Sequence, residues 1–218
     1  MISDLQKLGG ISALIEAALY VTGFALFLTV LDPSGYEGHV QRVAFLADNQ
    51  VASYIANLLI YVVFGVVLVV LVLAMHARLK NGSPAVMQTA TAFGLIWAGL
   101  VIASGMIANI GNSAVVDLFG ENQDQAVSLW LAIITVQEAL GGGNEIVGGL
   151  WVLLLSWAAL RAGNLPKVLN YLGVLVGLAG ILTVVPAFDV LMDVFGLGQI
   201  VWFAWLGIVM LRENPSAT

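Results

Sequence analysis

Five polar side chains stand inside long apolar stretches of this sequence, and they are the residues best suited to chemistry. They are Glu16, Asn57, Asn109, Asn144 and Glu145. Polar groups in such stretches are costly to bury in a membrane and often mark a ligand or ion pathway. The alternative is that they form hydrogen bonds between helices, each contributing about 0.6–2 kcal/mol. The asparagines fit this second role better, whereas both interpretations stay open for the two glutamates.

Glu145 is the residue on which a binding site would most depend. It follows Asn144 and the glycines 141–143, and each glycine costs up to about 1 kcal/mol relative to alanine in a helix. The run therefore predicts a helix break, which is either an unwound stretch that faces a ligand or a hinge, the interpretation we favour. Counting inward from Arg161 places Glu145 about 24 Å from the inner membrane edge. An ionised side chain at that depth should point into the bundle rather than into lipid.

Other kinds of chemistry lack the residues that they need. His39 and His76 fall on opposite sides of the predicted membrane, so they cannot ligate one haem, and no metal-ligand spacing accompanies His76. All lysines lie in loops or at helix ends, which excludes a retinal Schiff base. The sequence has no phosphate-binding loop or dinucleotide motif, and no cysteine. We therefore expect no catalytic residue, no metal and no cofactor.

The composition places these residues in a membrane. Of the 218 residues, 61% are hydrophobic and 9% are charged, against about 25% charged in a soluble domain. So few charges cannot cover a water-facing surface of this size, and the high hydrophobicity also excludes intrinsic disorder. The net charge of −6, with no Lys/Arg cluster, excludes a nucleic-acid partner. We expect an integral membrane protein whose partner is the lipid bilayer.

Apolar runs of about 20 residues, long enough to cross the hydrocarbon core, recur six times in the chain. Because the runs are continuous and do not alternate in polarity, they predict helices rather than the strands of a β-barrel. The predicted fold class is all-α: a single-domain bundle over residues 1–218 with six transmembrane helices, the fourth long and broken at its glycines. The predicted spans are about 9–31, 51–77, 85–110, 124–161, 167–188 and 194–212.

The basic residues predict the orientation, because cytoplasmic loops of membrane proteins are enriched in Lys and Arg. Lys7, the turn 78–84 and the turn 161–167 are assigned to the cytoplasm, and both termini are cytoplasmic in this topology. Residues 123–160 must then cross the membrane once, although as a continuous helix they would extend about 57 Å. Acidic residues collect in the outer loops, and this electronegative face favours cations or neutral solutes over anions.

This topology divides the polar residues into two groups. The first group falls in the outer half of the second, third and fourth spans and is expected to line a polar vestibule that opens outward. Its members are Asn57, Asn109, Asn144 and Glu145, joined by Gln137 and Glu138. Glu16 stands apart, about two turns inside the inner edge of the first span.

Two further patterns concern packing. Residues 36–48, in the longest outer loop, carry apolar side chains at helical spacing, which predicts a short amphipathic helix in the headgroup region. Gly173 and Gly177 form a Gly-x-x-x-Gly pair, which is typical of closely packed helices. The pair is expected to pack inside the bundle, or else at a contact with a second copy or with another membrane protein.

The region 145–180 carries a recognisable pattern: a Gly-Leu-Trp helix end, a basic residue before a glycine turn, a Pro-Lys pair and a glycine-rich helix. Its residues are Gly149, Leu150, Trp151, Arg161, Gly163, Pro166, Lys167, Leu172, Gly173, Gly177 and Gly180. This pattern resembles the DUF4386 family, small multi-helix prokaryotic membrane proteins of unknown function, except at Asn170-Tyr171, where a more apolar pair is expected. The resemblance implies a multi-pass protein in the cytoplasmic membrane of a prokaryote, and it implies no particular activity.

Two classes of function are compatible with these residues. One is a carrier or binding protein for a small neutral, cationic or lipid-like ligand, held at the outer polar group. The other is a non-catalytic scaffold or accessory subunit whose glycine and tryptophan surfaces pack against partner helices, and an enzyme fits least well. A cavity that joins Asn57, Asn109 and Glu145 favours the carrier, whereas a close-packed interior favours the scaffold.

Overall fold

Helices make up most of the chain in the computed structural model, which describes residues 2–142 and 145–212. The α-helices are α1 (Ile2–Phe27), α2 (His39–Asp48), α3 (Gln50–Asn57), α4 (Phe64–Leu79), α5 (Pro84–Phe119), α6 (Gln123–Gln137), α7 (Ile146–Ala162), α8 (Lys167–Leu182) and α9 (Leu191–Arg212). A π-helical segment, Leu58–Val63, joins α3 to α4, and a second, Glu138–Gly142, follows α6. No strand occurs within these described ranges. The all-helical class predicted from the sequence is confirmed.

Six of these helices close into a ring. α1 packs against α4 and α9, α4 against α5, α5 against α7, α7 against α8, and α8 against α9. All six are strongly apolar, so each can present side chains both to its neighbours and to a lipid surround. The other three helices, α2, α3 and α6, pack on or beside α5.

α5 is the longest helix, and it sets the path of the segment that follows it. Its 36 residues extend about 54 Å, and α6, the second π segment and α7 all pack along it. The N-terminal half of α5 faces α7, and its C-terminal half faces α6. The facing pairs are Gly94 with Trp151, Ser104 with Gln137, and Gly111 with Ile133. α6 and α7 therefore run in one direction, antiparallel to α5, although the helix between them is interrupted.

The helix bounds confirm the break expected in this segment. The second π segment ends at Gly142, and α7 begins at Ile146. Gly143 and Asn144 lie outside the described residues. Glu145 precedes α7 with φ −97° and ψ 17°, which are not the values of an α-helix.

A second, small core lies where α5 extends past its predicted end at residue 110. Val43 and Leu46 of α2 are buried there together with Val115 of α5 and Ala126 of α6. The extension is stable as a helix because α2 and α6 cover its apolar side. The amphipathic loop helix predicted from the sequence is α2, which begins at His39. Its buried residues Val43 and Leu46 pack on protein, whereas Val40 is exposed.

The basic turns and the two ends of the described chain lie together at one end of the bundle. Arg78 Nη2 donates to the Asn164 carbonyl oxygen at 2.7 Å, which joins the α4–α5 turn to the α7–α8 turn. Gln6 Nε2 donates to the Met210 carbonyl oxygen at 3.1 Å, which joins the start of α1 to the end of α9. The start of α1 also packs against Ala74 of α4. We call this the basic end, and the opposite end, which carries the acidic loops, the acidic end.

Four helical stretches of the described chain are long and apolar enough to cross a membrane: Asp4–Phe27, Gln50–Leu79, Pro84–Phe119 and Leu191–Arg212. α7 and α8 are apolar but have 17 and 16 residues, about 26 and 24 Å. They are shorter than the predicted spans because α7 starts after the glycine break and α8 ends ahead of Pro186. Of the six predicted membrane spans, four therefore correspond to helical stretches that are long enough to cross a membrane.

Aromatic rings fill the middle of the ring of helices. Tyr20 of α1 lies 5.5 Å from Phe64 of α4 between ring centroids, and Phe64 lies 5.5 Å from Trp97 of α5. Trp151 of α7 continues the series at 5.8 Å from Trp97 and 5.8 Å from Trp202 of α9. Such pairs contribute about 0.5–1.5 kcal/mol each beyond the burial of their surface. The cluster therefore holds five helices at fixed distances.

Glycines allow α8 to lie close to α7. A Cβ atom on Gly177 would lie 2.7 Å from the Gly149 carbonyl oxygen and 2.7 Å from the Leu153 amide nitrogen, and one on Gly173 would overlap the Ser156 hydroxyl. No side chain fits at either position without moving backbone or a buried group. The Gly-x-x-x-Gly pair noted in the sequence therefore packs two helices of one chain together.

Replacing Gly177 with alanine is expected to destabilise the bundle by about 1–3 kcal/mol, the usual cost of overpacking. Gly99→Ala is the matched control, because a Cβ at Gly99 meets nothing within 4 Å and alanine is the better helix former. Thermal unfolding in detergent should show a lower Tm for the first variant and an unchanged or higher Tm for the second. Equal Tm values for both variants would contradict the close α7–α8 contact.

Candidate functional site

A cavity of about 280 Å³ lies inside the ring of helices. Its walls come from α1, α4, α5 and α9, from the first π segment and from Glu145. The lining residues are Leu19, Tyr20, Gly23, Phe24, Phe27, Ile60, Tyr61, Phe64, Trp97, Val101, Glu145, Met192 and Gly196. Because six of these thirteen lining residues are aromatic, we call this space the aromatic cavity.

Glu145 is held in the wall of the aromatic cavity by its main chain. Its N–H donates to Thr183 Oγ1 at 3.2 Å, and that hydroxyl donates in turn to the Gly180 carbonyl oxygen at 2.7 Å. Its carbonyl oxygen accepts the Gly149 N–H at 2.8 Å, the first hydrogen bond of α7. The end of α8 and the start of α7 thus fix the Glu145 backbone, and its half-buried side chain is left to border the cavity.

The aromatic cavity has one carboxyl group in its wall. Glu145 is the single acidic or basic side chain among the described residues that line it. The phenol groups of Tyr20 and Tyr61 lie within electrostatic range of the Glu145 carboxylate. The space therefore combines one carboxyl group, two hydroxyl groups and several aromatic rings, a set of groups that can bind a ligand.

A second cavity of about 320 Å³, the polar cavity, lies toward the acidic end. It gathers three residues that the sequence placed in the outward vestibule: Asn57, Gln137 and Glu138. Arg42 and Trp130 also line it. Phe27 and Tyr61 border both cavities, and the Gln137 side chain lies within hydrogen-bonding reach of the Tyr61 hydroxyl. These shared side chains form the boundary between the two spaces.

Asn109 does not join this group. It lines a third cavity, of about 210 Å³, between α3 and α5. Its Nδ2 donates to the Tyr54 carbonyl oxygen at 3.3 Å, which is the interhelical role weighed for it from the sequence. The helices approach closely at Gly105, where an added Cβ would lie 3.3 Å from the Asn57 carbonyl oxygen. Among the described residues, Asn57, Asn109 and Glu145 line three different cavities rather than the single one expected from the sequence, and Asn112 lines both the polar cavity and the third cavity.

Asn144, the remaining member of the predicted vestibule, lies outside the described residues. Glu16 is fully buried in α1, and neither of its carboxyl oxygens has a hydrogen-bond partner within the described part of the chain. It does not line any of the three cavities described above. Tyr20, one helical turn further along, lies in electrostatic range of both Glu16 and Glu145.

The aromatic side chains of the site were not identified from the sequence as functional. Tyr20, Phe24 and Phe27 all line the aromatic cavity, and their spacing of four and three residues places them on one face of α1. That stripe is the signal that could have been used. Trp97 and Tyr61 carry no such signal, because their roles depend on how α4 and α5 pack against α1.

At the acidic end, hydrogen bonds from Ser34 stabilise the ionised form of Asp32. The Ser34 N–H donates to Asp32 Oδ1 at 2.9 Å, and this hydrogen bond, with that of the Ser34 hydroxyl, holds the pKa of Asp32 below its usual value. The connections at this end also carry other acidic residues, namely Glu37, Asp48, Asp117, Glu121, Asp124, Asp189 and Asp193. A cation that approaches this end meets a negative potential, and an anion is repelled.

The histidines take part in packing. His76 Nδ1 lies 2.7 Å from Thr91 Oγ1, which joins α4 to α5 near the basic end. His39 lies against Trp130 at 5.9 Å between ring centroids. Across the described ranges, no three His, Cys, Asp or Glu side chains come together as a metal site would require.

Replacing Glu16 with methionine is expected to stabilise the protein by about 1–3 kcal/mol, because a buried polar group without a hydrogen-bond partner is unfavourable. The matched control is Glu37→Met in the exposed loop, which should change stability by less than about 0.5 kcal/mol. The measurement is the free energy of unfolding in detergent. A strong destabilisation by Glu16→Met would show instead that the Glu16 carboxyl group makes a favourable interaction in the folded protein.

Comparisons with known proteins agree with the resemblance seen in the sequence. The comparison with curated proteins found no match, and neither did the comparison with solved structures. A family model described as "Domain of unknown function (DUF4386)" matches residues 8–209, nearly the whole chain. This chain is therefore a member of the DUF4386 family.

Proposed function

We propose that this protein is a membrane-embedded carrier or binding protein that takes a small ligand into the aromatic cavity from the acidic end. The observation that carries the proposal is the cavity of about 280 Å³ with Glu145 in its wall. Its volume is near the lower end of the range of about 300–1,000 Å³ found for small-molecule sites, and its mostly apolar wall with few polar groups is also typical of them.

The cavity favours this function over the scaffold. A scaffold would need its small-residue surfaces free for a partner, but Gly173 and Gly177 face α7 within the same chain. It would also have no use for a carboxylate held at an internal cavity. Of the polar group predicted from the sequence, Glu145 remains the central residue. Asn57 is assigned to the polar cavity through which a ligand would pass, and Asn109 to helix packing.

The proposal includes six membrane crossings with both termini in the cytoplasm of a prokaryote. The ring of six helices supports the number of crossings, and the antiparallel path of α6 and α7 along α5 supports a single crossing between residues 123 and 162. The joining of the basic turns at one end supports the orientation, because the positive-inside rule then applies to that whole end. The acidic end, with the polar cavity, would face outward.

The orientation is tested with single cysteines, since the natural chain has none. Asn81→Cys in the α4–α5 turn and Ser34→Cys in the α1–α2 loop both stand at exposed positions. In intact cells an impermeant maleimide should label Ser34→Cys and leave Asn81→Cys unlabelled until the cells are opened. The reverse pattern would invert the topology.

The binding function is tested with three aromatic probes of similar shape: cationic benzyltrimethylammonium, neutral neopentylbenzene and anionic phenylmethanesulfonate. Binding is measured by equilibrium dialysis against protein in lipid nanodiscs, with empty nanodiscs subtracted. At least one probe should bind saturably at one site. Gly23→Leu, which adds a side chain in the cavity wall, should raise the Kd of that probe at least tenfold.

Gly99→Leu is the control for this test, because Gly99 faces open space on α5. It should leave the Kd of the bound probe unchanged. If none of the three probes binds saturably, or if the two leucine variants behave alike, the cavity is not a ligand site and the scaffold function is favoured instead.

A further inference from the structure

We infer that the ligand of the aromatic cavity is a small organic cation, an ammonium group bearing apolar substituents. This inference rests on the proposed function and specifies its ligand class. It combines three features of one space: a carboxylate held in the wall, aromatic faces around it, and the absence of a basic side chain among the described lining residues.

The aromatic wall is suited to a cation because the faces of aromatic rings attract positive charge. Trp97, Tyr20 and Phe64 all border the cavity, and a cation within about 6 Å of such a ring gains about 0.5–2 kcal/mol. The rings are fixed before any ligand arrives. Tyr20 packs edge-on against Phe64 at an interplanar angle of 80°, and Phe64 against Trp97 at 67°. A wall that needs no rearrangement loses less free energy on binding.

The Glu145 carboxyl group determines which ligand charge the aromatic cavity favours. Glu145 borders the cavity without a Lys or Arg among the described lining residues, whereas in the polar cavity Glu138 shares the lining with Arg42. A carboxylate left without a partner in apolar surroundings is unfavourable, and the positive charge of the ligand supplies that partner. The apolar substituents of the ligand occupy the rest of the space.

Other ligand classes fit these features less well. An anion would face Glu145 in the aromatic cavity, where no Lys or Arg is among the described lining residues. A neutral acyl chain would fill the space but leave the carboxylate desolvated and without a partner. An inorganic cation such as Ca²⁺ takes about six to eight oxygen ligands, and the described wall offers one carboxylate and two phenols. The lining, with six aromatic residues and few oxygen ligands, is the feature that selects an organic cation over a metal ion.

The outer surface of the route has the same sign preference. The acidic end attracts cations, and the polar cavity beside it carries Asn57 and the oppositely charged pair of residue types Glu138 and Arg42. Phe27 and Tyr61 then form the boundary to the aromatic cavity. A cation thus passes from a negative surface, through polar side chains, to aromatic faces and a carboxylate.

The three probes used above also test this inference, because they differ in charge and resemble one another in shape. In the wild-type protein benzyltrimethylammonium should bind at least tenfold more tightly than neopentylbenzene, and phenylmethanesulfonate should not bind. Glu145→Gln should raise the Kd of the cation at least tenfold and bring it close to that of the neutral probe. Glu121→Gln, the same change in an exposed turn remote from the cavity lining, should leave the Kd unchanged.

The outcomes separate this inference from the proposed function. If the neutral or the anionic probe binds as tightly as the cation, the ligand class is wrong although the cavity is a ligand site. If the cation binds equally well to the wild type and to Glu145→Gln, the role of the carboxylate is wrong. If none of the three probes binds, the proposed function itself fails. The comparison of the three probes needs no variant, so it stands even if Glu145→Gln does not fold.

Discussion

The hydrogen bond from the Glu145 N–H to Thr183 Oγ1 joins the start of α7 to the end of α8 at the point where the long segment facing α5 is broken. A continuous helix through this point would satisfy the same N–H internally and would carry Glu145 along with the helix face. With the break, the N–H needs another partner, because an unsatisfied amide in a membrane is costly. Thr183 supplies it, and the Glu145 side chain is left at the wall of the aromatic cavity.

The rest of the bundle keeps this point in place by two contrasting kinds of contact. Near α7 and α8 the helices touch through Gly149 and Gly177, with backbone against backbone. In the middle of the ring they are held apart by Phe64, Trp97 and Trp151. Close contact on one side and large rings in the centre leave a space toward the acidic end, which is the aromatic cavity. The cavity thus results from having glycines between α7 and α8 and large aromatic side chains in the middle of the ring.

Much of this architecture could be predicted from the sequence. The membrane class follows from the low charge content, and the interruption ahead of α7 follows from the low helix propensity of the glycines that precede it. The positions of the basic turns predicted that residues 123–160 cross the membrane once. The packing of α6 and α7 in one direction along α5 supports this prediction. Each of these predictions depends on local composition or on charge.

The sequence could not show which polar residues meet. Asn57 and Asn109 were both expected in the outer half of their spans, yet Asn57 lines the polar cavity and Asn109 lines the third cavity between α3 and α5. The length of α5 was underestimated, because its last turns are covered by α2 and α6, which lie elsewhere in the chain. The aromatic wall was missed for the same reason, since Tyr61 and Trp97 reach the cavity only through the packing of α4 and α5 against α1.

The central claim is that Glu145 makes an outward-facing aromatic cavity selective for cations, and reaction rates at one engineered thiol test it most directly. Gly23→Cys places a thiol in the cavity wall, where a Cβ makes ordinary contact with Ile60 at 3.4 Å. Cationic trimethylammonium-ethyl and anionic sulfonato-ethyl methanethiosulfonates are added to the outside of intact cells. The account predicts at least tenfold faster modification by the cationic reagent, and a ratio that falls toward one when Glu145→Gln is added. Equal rates for the two reagents, or a ratio that Glu145→Gln leaves unchanged, would contradict it.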